Sequence, residues 1–239
     1  MLTEMPWDGF TVGGSPGAVT LGPGDTGDPG NLCTVDVHAR STLYERGLKR
    51  AFDLVAATSL LILVAPTLLL VALAIRIDLG RKVIFRQQRV GLDGRVFWVH
   101  KFRSMYPCRR TEGRSIDHPD RRRTHKHPAD PRLTPLGRFL RKWSIDELPQ
   151  LWDVVRGDMS LVGPRPEMVT IVEQYAPWQH ERHRVKPGLT GLWQVKGRGD
   201  GEMHNNTHFD IEYARGLSFR SDLVILVMTI PALVRRKGH

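Results

Sequence analysis

From Leu54 to Ile75 the chain carries no charged residue. A run of roughly twenty apolar residues has the length of a membrane-spanning helix, and little else in a chain of this size can accommodate it. A buried helix of a soluble core is disfavoured because the run is apolar on every side. Two features argue against a simple span. Pro66 lies near the middle, where it removes a hydrogen bond and crowds the preceding turn. Cations flank both ends, Arg46, Lys49 and Arg50 before and Arg76, Arg81 and Lys82 after, so the charge asymmetry that orients a spanning helix is weak. Each half is about ten residues, or about 15 Å of helix, which reaches only the bilayer midplane. A helix-break-helix hairpin that enters and leaves by one face meets both observations, with Thr58, Ser59 or Thr67 available to satisfy backbone groups freed at the bend. A kinked spanning helix remains the alternative on this segment alone.

The rest divides around that run. Residues 1–42 are rich in Gly, Pro, Thr and Asp and poor in large apolar residues, the composition of a disordered tail. Residues 43–79 make an amphipathic start followed by the membrane element, and 80–239 form the remaining domain. Among its 239 residues the chain has a net charge of +10, so an anionic partner is expected; nucleic acid, acidic lipid and phosphorylated substrates all fit. Two isolated cysteines, Cys33 and Cys108, supply neither a disulfide framework nor metal-ligand spacing. The N-terminus has no cleavable signal pattern.

Residues 83–91 and 95–103 are β-rich, and Gly91-Leu-Asp-Gly94 between them is a hairpin turn. The segment 106–130 is a basic loop whose histidines are too irregular for a zinc site. Gly157 to Pro166 is loop-like and pins Arg165 between two prolines, which lowers the entropy lost when it grips an anion. His183 to Arg198 is basic and punctuated by glycines that would let a ligand approach the backbone, but it contains no Walker sequence. Glu167–His180 and His208–Leu217 look helical, the latter carrying Asp210 and Tyr213. The apolar stretch 223–234 suits either an interfacial or a core helix.

The chemistry concentrates in Arg138-Phe-Leu-Arg-Lys-Trp-Ser-Ile-Asp-Glu-Leu-Pro-Gln-Leu151. Asp146 and Glu147 follow Arg138, Arg141 and Lys142. Arginines can hold a phosphate while one carboxylate holds a divalent cation and the other attacks or accepts a proton. Ser144-x-x-Glu147 is also a capping box, which would fix where both carboxylates point.

Six segments occur in the order seen in one family: Lys49-Arg-Ala-Phe-Asp53, Phe85-Arg-Gln-Gln-Arg-Val-Gly91, Lys101-Phe-Arg-Ser-Met105, Leu140 to Leu151, Gly157 to Pro166, and Lys186-Pro-Gly-Leu-Thr-Gly191. From about Leu43 onward the chain resembles the bacterial sugar transferases, also called monotopic phosphoglycosyl transferases. The resemblance implies an α/β, mainly helical fold, with a re-entrant membrane helix-break-helix joined to a compact cytoplasmic catalytic domain that carries a small strand pair and interfacial helices. It implies transfer of a sugar-1-phosphate from a nucleotide diphosphate sugar, a UDP-sugar foremost, to undecaprenyl phosphate, with release of UMP. That reaction is the first membrane step of surface polysaccharide synthesis, at the cytoplasmic face of the bacterial cell membrane. It implies Mg²⁺, Asp146 as a nucleophile that forms an aspartyl phosphosugar, and Glu147 as metal ligand. Lys101, Arg141, Arg165 and Arg198 match the phosphate-binding positions, Pro66 the membrane break, and Asp158, Asp210 and Tyr213 are further candidates to support the site. Expected partners are the nucleotide sugar, the polyprenyl phosphate and membrane lipids; a homodimer is compatible and nucleic acid is not expected. The chain has Ala65 where the family often has Ser, Arg81 where it usually has Pro, and Asp153 where it usually has Asn. It reads as the short form that lacks extra N-terminal membrane helices. A membrane-anchored binder of nucleic acid or acidic lipid would also explain the charge and the apolar run, but not the two carboxylates set within a basic surface.

Overall fold

A computed structural model describes residues 43–106, 132–196 and 206–234. The tail 1–42 with Cys33, the basic loop with Cys108, Arg198, and the cations at 235–237 lie outside the described residues. A π-type turn, Tyr44–Leu48, runs straight on into helix α1, Lys49–Leu79. This helix has 31 residues, about 46 Å at about 1.5 Å per residue.

α1 remains helical through Pro66, so no non-helical segment separates its two halves. The proline forfeits one backbone bond, but the leucine- and alanine-rich turns on either side re-form the ladder at once. Continuing the helix also leaves fewer backbone groups unsatisfied than a true break would, which matters most in an apolar medium. The helix ends where Gly80 takes φ 83, a conformation that glycine adopts at no steric cost.

One stripe of α1 packs against the rest of the protein. Ala57 is buried, and Phe52, Leu61 and Val64 lean on a core built from Val99 of strand β2 (Val96–Phe102), Leu151 and Val154 of α3 (Gln150–Arg156), Val162 of β3 (Ser160–Val162), Leu192 of α5 (Leu192–Lys196) and Ile225 of α7 (Phe219–Val234). Farther along, Leu68, Val71, Ile75 and Leu79 meet Phe102 of β2 and Leu140 of α2 (Pro135–Lys142) in a second, smaller core. Both ends of the helix therefore rest on the same globular body. The opposite faces are bare: Ile62, Leu63, Leu69, Leu70 and Ile77 are 69–78% exposed. So much contiguous apolar surface requires apolar cover.

The N-terminal end of α1 is locked by polar contacts. Lys49 Nζ donates to Asp222 Oδ2 of α7 at 2.6 Å and to the Val162 carbonyl at 3.1 Å. Arg50 donates to the carbonyls of Val154 and Val155 at 2.6 and 2.7 Å, satisfying the C-terminus of α3. Asp53 accepts from the Leu161 amide at 3.1 Å. The Lys-Arg-x-Phe-Asp sequence is thus a docking device. Asp222 also accepts from Tyr44 at 2.6 Å and from Tyr213 at 2.7 Å. Tyr213 lies on α6 (Thr207–Arg215) and also contacts the Val162 carbonyl at 2.9 Å, so its described bonds serve this anchor rather than the carboxylate pair.

The expected hairpin forms. Strand β1 (Ile84–Val90) pairs antiparallel with β2, Ile84 opposite Phe102 and Val90 opposite Val96, and Gly91–Gly94 turns the chain. The segments read as loops contain a second pair: β3 runs parallel to β4 (Gly188–Thr190). Strands of three residues are too short to show an alternating pattern, which is why the sequence did not reveal them. Glycines make this close pairing possible. A Cβ on Gly188 would overlap the Gly163 backbone nitrogen, and one on Gly191 would overlap the Gly163 carbonyl. The Glu167–His180 region is only partly α-helical, with α4 at Val169–Val172 and a 3-10 segment from Pro177 to Arg184. Helix α7 turns Asp222 and Ile225 inward while leaving Leu223, Val227 and Ile230 exposed.

Candidate active site

Helix α2 delivers the chain to the carboxylate pair. Thr134 caps it by accepting from the Gly137 amide at 2.8 Å, with Pro135 in the first helical position. Gly137 abuts Ser104 so closely that a Cβ would overlap the Ser104 carbonyl. This seating lets Arg141 Nε donate to Ser104 Oγ at 2.9 Å.

After α2 the backbone reverses hand. Ser144 sits at φ 55, ψ 20. A left-handed non-glycine residue costs about 1–2 kcal/mol and persists only where its surroundings dictate it. The anticipated capping box does not form. Ser144 makes no side-chain cap bond, and the Glu147 amide donates to the Ser144 carbonyl at 3.1 Å within a 3-10 turn, Ile145–Glu147. An N-cap side chain needs an extended backbone to reach forward, and the left-handed turn denies it.

Glu147 is oriented instead by two cations from distant parts of the chain. Lys101 Nζ, on β2, lies 3.1 Å from Glu147 Oε1. Arg165 grips the carboxylate in a fork, Nη2 to Oε1 at 2.6 Å and Nη1 to Oε2 at 3.3 Å. Asp146, also buried, lies in the field of the same Lys101 and Arg165. The Glu147 carboxylate holds the Arg165 guanidinium above its ordinary value. Burial pushes Lys101 down, against the pull of Glu147, and pushes neighbouring Arg89 down to about 10.

Arg165 is itself braced from behind. Its carbonyl accepts from Arg182 Nη2 at 2.6 Å; the same nitrogen lies 2.6 Å from Asp210 Oδ2, and Nη1 donates to the Tyr175 hydroxyl at 2.8 Å. The Arg182 and Asp210 side chains are each 1% exposed, so this is a fully buried ion pair. Asp210 therefore reaches the site through Arg182 and Arg165. Beside it, Glu167 accepts from Arg89 Nη1 at 3.4 Å and its carbonyl accepts from the Val90 amide at 2.9 Å, tying the hairpin to the Pro-Arg-Pro loop.

The remaining candidates divide. Lys101, Arg165 and the Asp146–Glu147 pair come together. Arg141 is held on Ser104, one turn before the pair. Asp158 follows the other end of α3 and pairs with Arg156 at 3.3 Å. Arg198 lies outside the described residues. Asp153, an atypical residue for the resemblance noted above, has a local partner: its Oδ1 is 2.6 Å from His100 Nδ1 and its Oδ2 accepts from the His100 amide at 2.9 Å. Sequence reasoning missed Arg89, Gln150, Glu167 and Arg182 as site components. Arg89 and Gln150 did stand inside the quoted segments, but an arginine buried like Arg182 has no local signature.

Among the described residues no three His, Cys, Asp or Glu side chains cluster as a ready-made metal cage. Two adjacent carboxylates nevertheless suit Mg²⁺, which takes one or two carboxylate oxygens and completes its shell with water and substrate phosphates. Glu147 is the group that would hold it, leaving Asp146 beside it.

Residues 44–236 match the model of the bacterial sugar transferase family. The chain is 42% identical over 201 residues to the UDP-galactose-lipid carrier transferase of Erwinia amylovora, covering 81% of this chain and 42% of that protein. It is 42% identical over 241 residues to a UDP-glucose:undecaprenyl-phosphate glucose-1-phosphate transferase of Caulobacter vibrioides, covering 98% of this chain and 81% of the relative. It is 39% identical over 200 residues to the exopolysaccharide production protein ExoY of Rhizobium meliloti, covering 80% and 87% respectively. The chain thus spans under half the length of some curated relatives and most of the length of others. The match runs from the apolar helix α1 through the carboxylate pair and the Pro-Arg-Pro loop to α7, so the same stretch that builds this site places the chain in the bacterial sugar transferase family.

Proposed function

We propose that the protein transfers a sugar-1-phosphate from a nucleotide diphosphate sugar, a UDP-sugar foremost, to undecaprenyl phosphate, through a covalent intermediate on Asp146. The observation that carries this reading is the buried Asp146–Glu147 pair facing Lys101 and the forked Arg165. Substrate diphosphate binds against Arg141, Arg165 and Lys101, whose charges offset the charge that develops on the phosphoryl oxygens. An Asp146 oxygen attacks the phosphorus that bears the sugar, and the bond from that phosphorus to the bridging oxygen breaks. UMP leaves with the electron pair. An oxygen of the lipid phosphate then attacks the same phosphorus and the Asp146–phosphorus bond breaks, restoring the carboxylate. Mg²⁺ held by Glu147 would supply charge neutralisation at the diphosphate. The name of the Caulobacter vibrioides relative supports this reading, since it specifies undecaprenyl phosphate as acceptor.

The reading is tested with a panel of nucleotide sugars and a polyprenyl phosphate acceptor. Magnesium-dependent release of nucleoside monophosphate with one or a few donors is expected. No release with any UDP-sugar would refute it.

We further propose that α1 is re-entrant and that the catalytic residues face the cytoplasm. Both ends of α1 pack on one globular body while its other faces are bare and apolar. A helix crossing the bilayer would carry its ends to opposite sides, away from a common body. Single cysteines near residue 43 and residue 173 should therefore react equally with a membrane-impermeant reagent in inside-out vesicles. Protection of only one of them would show that the helix spans.

A further inference from the structure

Two segments carry the two sides of the candidate site, and they are tied together at a second place. The 3-10 turn that holds Asp146 and Glu147 passes through Leu148 and Pro149 straight into α3. The Leu148, Leu151 and Trp152 amides donate to the carbonyls of Ile145, Leu148 and Pro149, so the carboxylate pair and α3 form one run of helical turns. Against this run lies β2, which carries Lys101. Lys101 meets Glu147 at 3.1 Å, and its chain neighbour His100 meets Asp153 of α3.

The second tie is a two-point clamp. Asp153 is fully buried; its Oδ2 accepts from the His100 amide at 2.9 Å and its Oδ1 lies 2.6 Å from the ring Nδ1. Bonds to the backbone and to the ring of one residue fix both the position and the rotation of the strand at that point. Asp153 is itself anchored, since its carbonyl accepts from the amides of Gly157, Asp158 and Met159 at 3.1, 3.0 and 3.2 Å. Burial pushes the Asp153 carboxyl up, and the His100 bonds pull it back. The apolar contact between the same elements, Val99 with Leu151 and Val154, is non-directional and would tolerate a slip of the strand.

We propose that His100 and Asp153 are positioning residues that set Lys101 against the Glu147 carboxylate by locking β2 onto α3. Neither touches substrate; both act through Lys101. The inference rests on the transferase reading for what Lys101 does, which is to offset charge on the phosphoryl oxygens, and adds what holds Lys101 in place. When substrate draws Lys101 away from Glu147, the clamp keeps the strand in the register that the direct pair no longer holds. A misplacement of about 1 Å can cost about a hundredfold in rate, so such a lock bears directly on the chemistry.

The first test reads the Lys101 amine itself and needs no turnover. The detergent-purified full chain is treated with limiting acetic anhydride at neutral pH. Acetylation of each lysine is followed by peptide mass spectrometry, with exposed Lys82 and Lys142 as internal standards. In the parent, Lys101 is shielded by Glu147 and by burial. His100→Leu removes the ring donor, and Lys101 acetylation relative to the standards should rise about fivefold, because burial already pushes this amine down and displacement from Glu147 frees it to react. His100→Asn, whose side-chain N–H stands near the place of the ring Nδ1–H, should return the rate to within about twofold of the parent. The double variant His100→Leu, Asp153→Asn leaves no half-paired carboxylate inside and keeps the acceptor for the backbone amide. It should show the same rise, and it serves if the single variant does not fold. Unchanged Lys101 acetylation in the leucine variants would overturn the proposal. So would an equal rise in His100→Asn, or a parallel rise at buried Lys49, the mark of general loosening.

In an active enzyme, His100→Leu should lower kcat about tenfold and change KM for the nucleotide sugar less than about threefold, because Arg141 and Arg165 remain to bind the diphosphate. In a Lys101→Met background the same change should cost less than about twofold, and fully additive losses would refute action through Lys101. Absence of turnover with every donor would refute the transferase reading and leave acetylation to decide the positioning role alone.

Discussion

Asp146→Asn is expected to abolish transfer, with a loss of turnover of about ten-thousandfold or more. Removing the nucleophile of a covalent mechanism costs this much because the surviving groups can only bind and orient. The substitution keeps the size and planarity of the side chain and leaves the Lys101–Glu147–Arg165 cluster in place. Membrane association should therefore be unaffected, since it depends on α1 and its anchor. The adduct experiment sharpens the result. With labelled nucleotide sugar and no lipid acceptor, the parent chain should acquire label and release one nucleoside monophosphate per chain, and the variant should do neither. A variant that turned over at near the parental rate would assign the nucleophile elsewhere.

The second large effect is expected far from the reacting atoms. Arg182→Met leaves the Asp210 carboxylate buried without its cation and withdraws the donor from the Arg165 carbonyl. Breaking one side of a buried ion pair costs about 3–5 kcal/mol, because a charge remains desolvated and unpaired. That is a large share of the stability of an ordinary domain. The double variant Arg182→Met, Asp210→Leu removes both charges and should recover most of that loss. It should not recover activity to the same degree. Arg165 then lacks the brace behind its backbone, and its fork onto Glu147 and substrate loosens. Denaturation midpoints checked alongside kcat and KM would show the split. Activity that returned in full with stability would mean that Arg182 and Asp210 only hold the fold.

These two expectations differ in how readable they were. Asp146 and Glu147 stand side by side, preceded by cations four to eight residues away, and that local arrangement was visible. So was the hairpin, because Gly91-Leu-Asp-Gly94 names its own turn. The parallel pair β3–β4 was not, since three-residue strands have no period and their partners lie on either side of the Pro-Arg-Pro loop. The capping box was misread for a related reason. The Ser-x-x-Glu spacing is compatible with a cap, but the backbone at Ser144 is left-handed, in a chain whose preceding helix is seated on Ser104 and whose Glu147 is held by Lys101 and Arg165. At Pro66 proline's local cost is real, yet the helix propensity of the flanking turns keeps the residues on both sides helical.

By itself the sequence determined the presence of a long apolar helix with cations at both ends, the two-stranded hairpin, and the carboxylate pair in a basic setting. Each is written in neighbouring residues whose spacing or composition admits few local structures. Only the tertiary structure decided that Glu147 is gripped by Lys101 and Arg165, that Asp210 is bonded to Arg182, that Tyr213 and the Lys-Arg-x-Phe-Asp segment anchor α1, and that the glycines of the basic loops let two short strands touch. All of these join residues far apart in the chain. Their energies arise from burial and from charge pairing in a low-dielectric interior, which come into being only when the chain has closed upon itself.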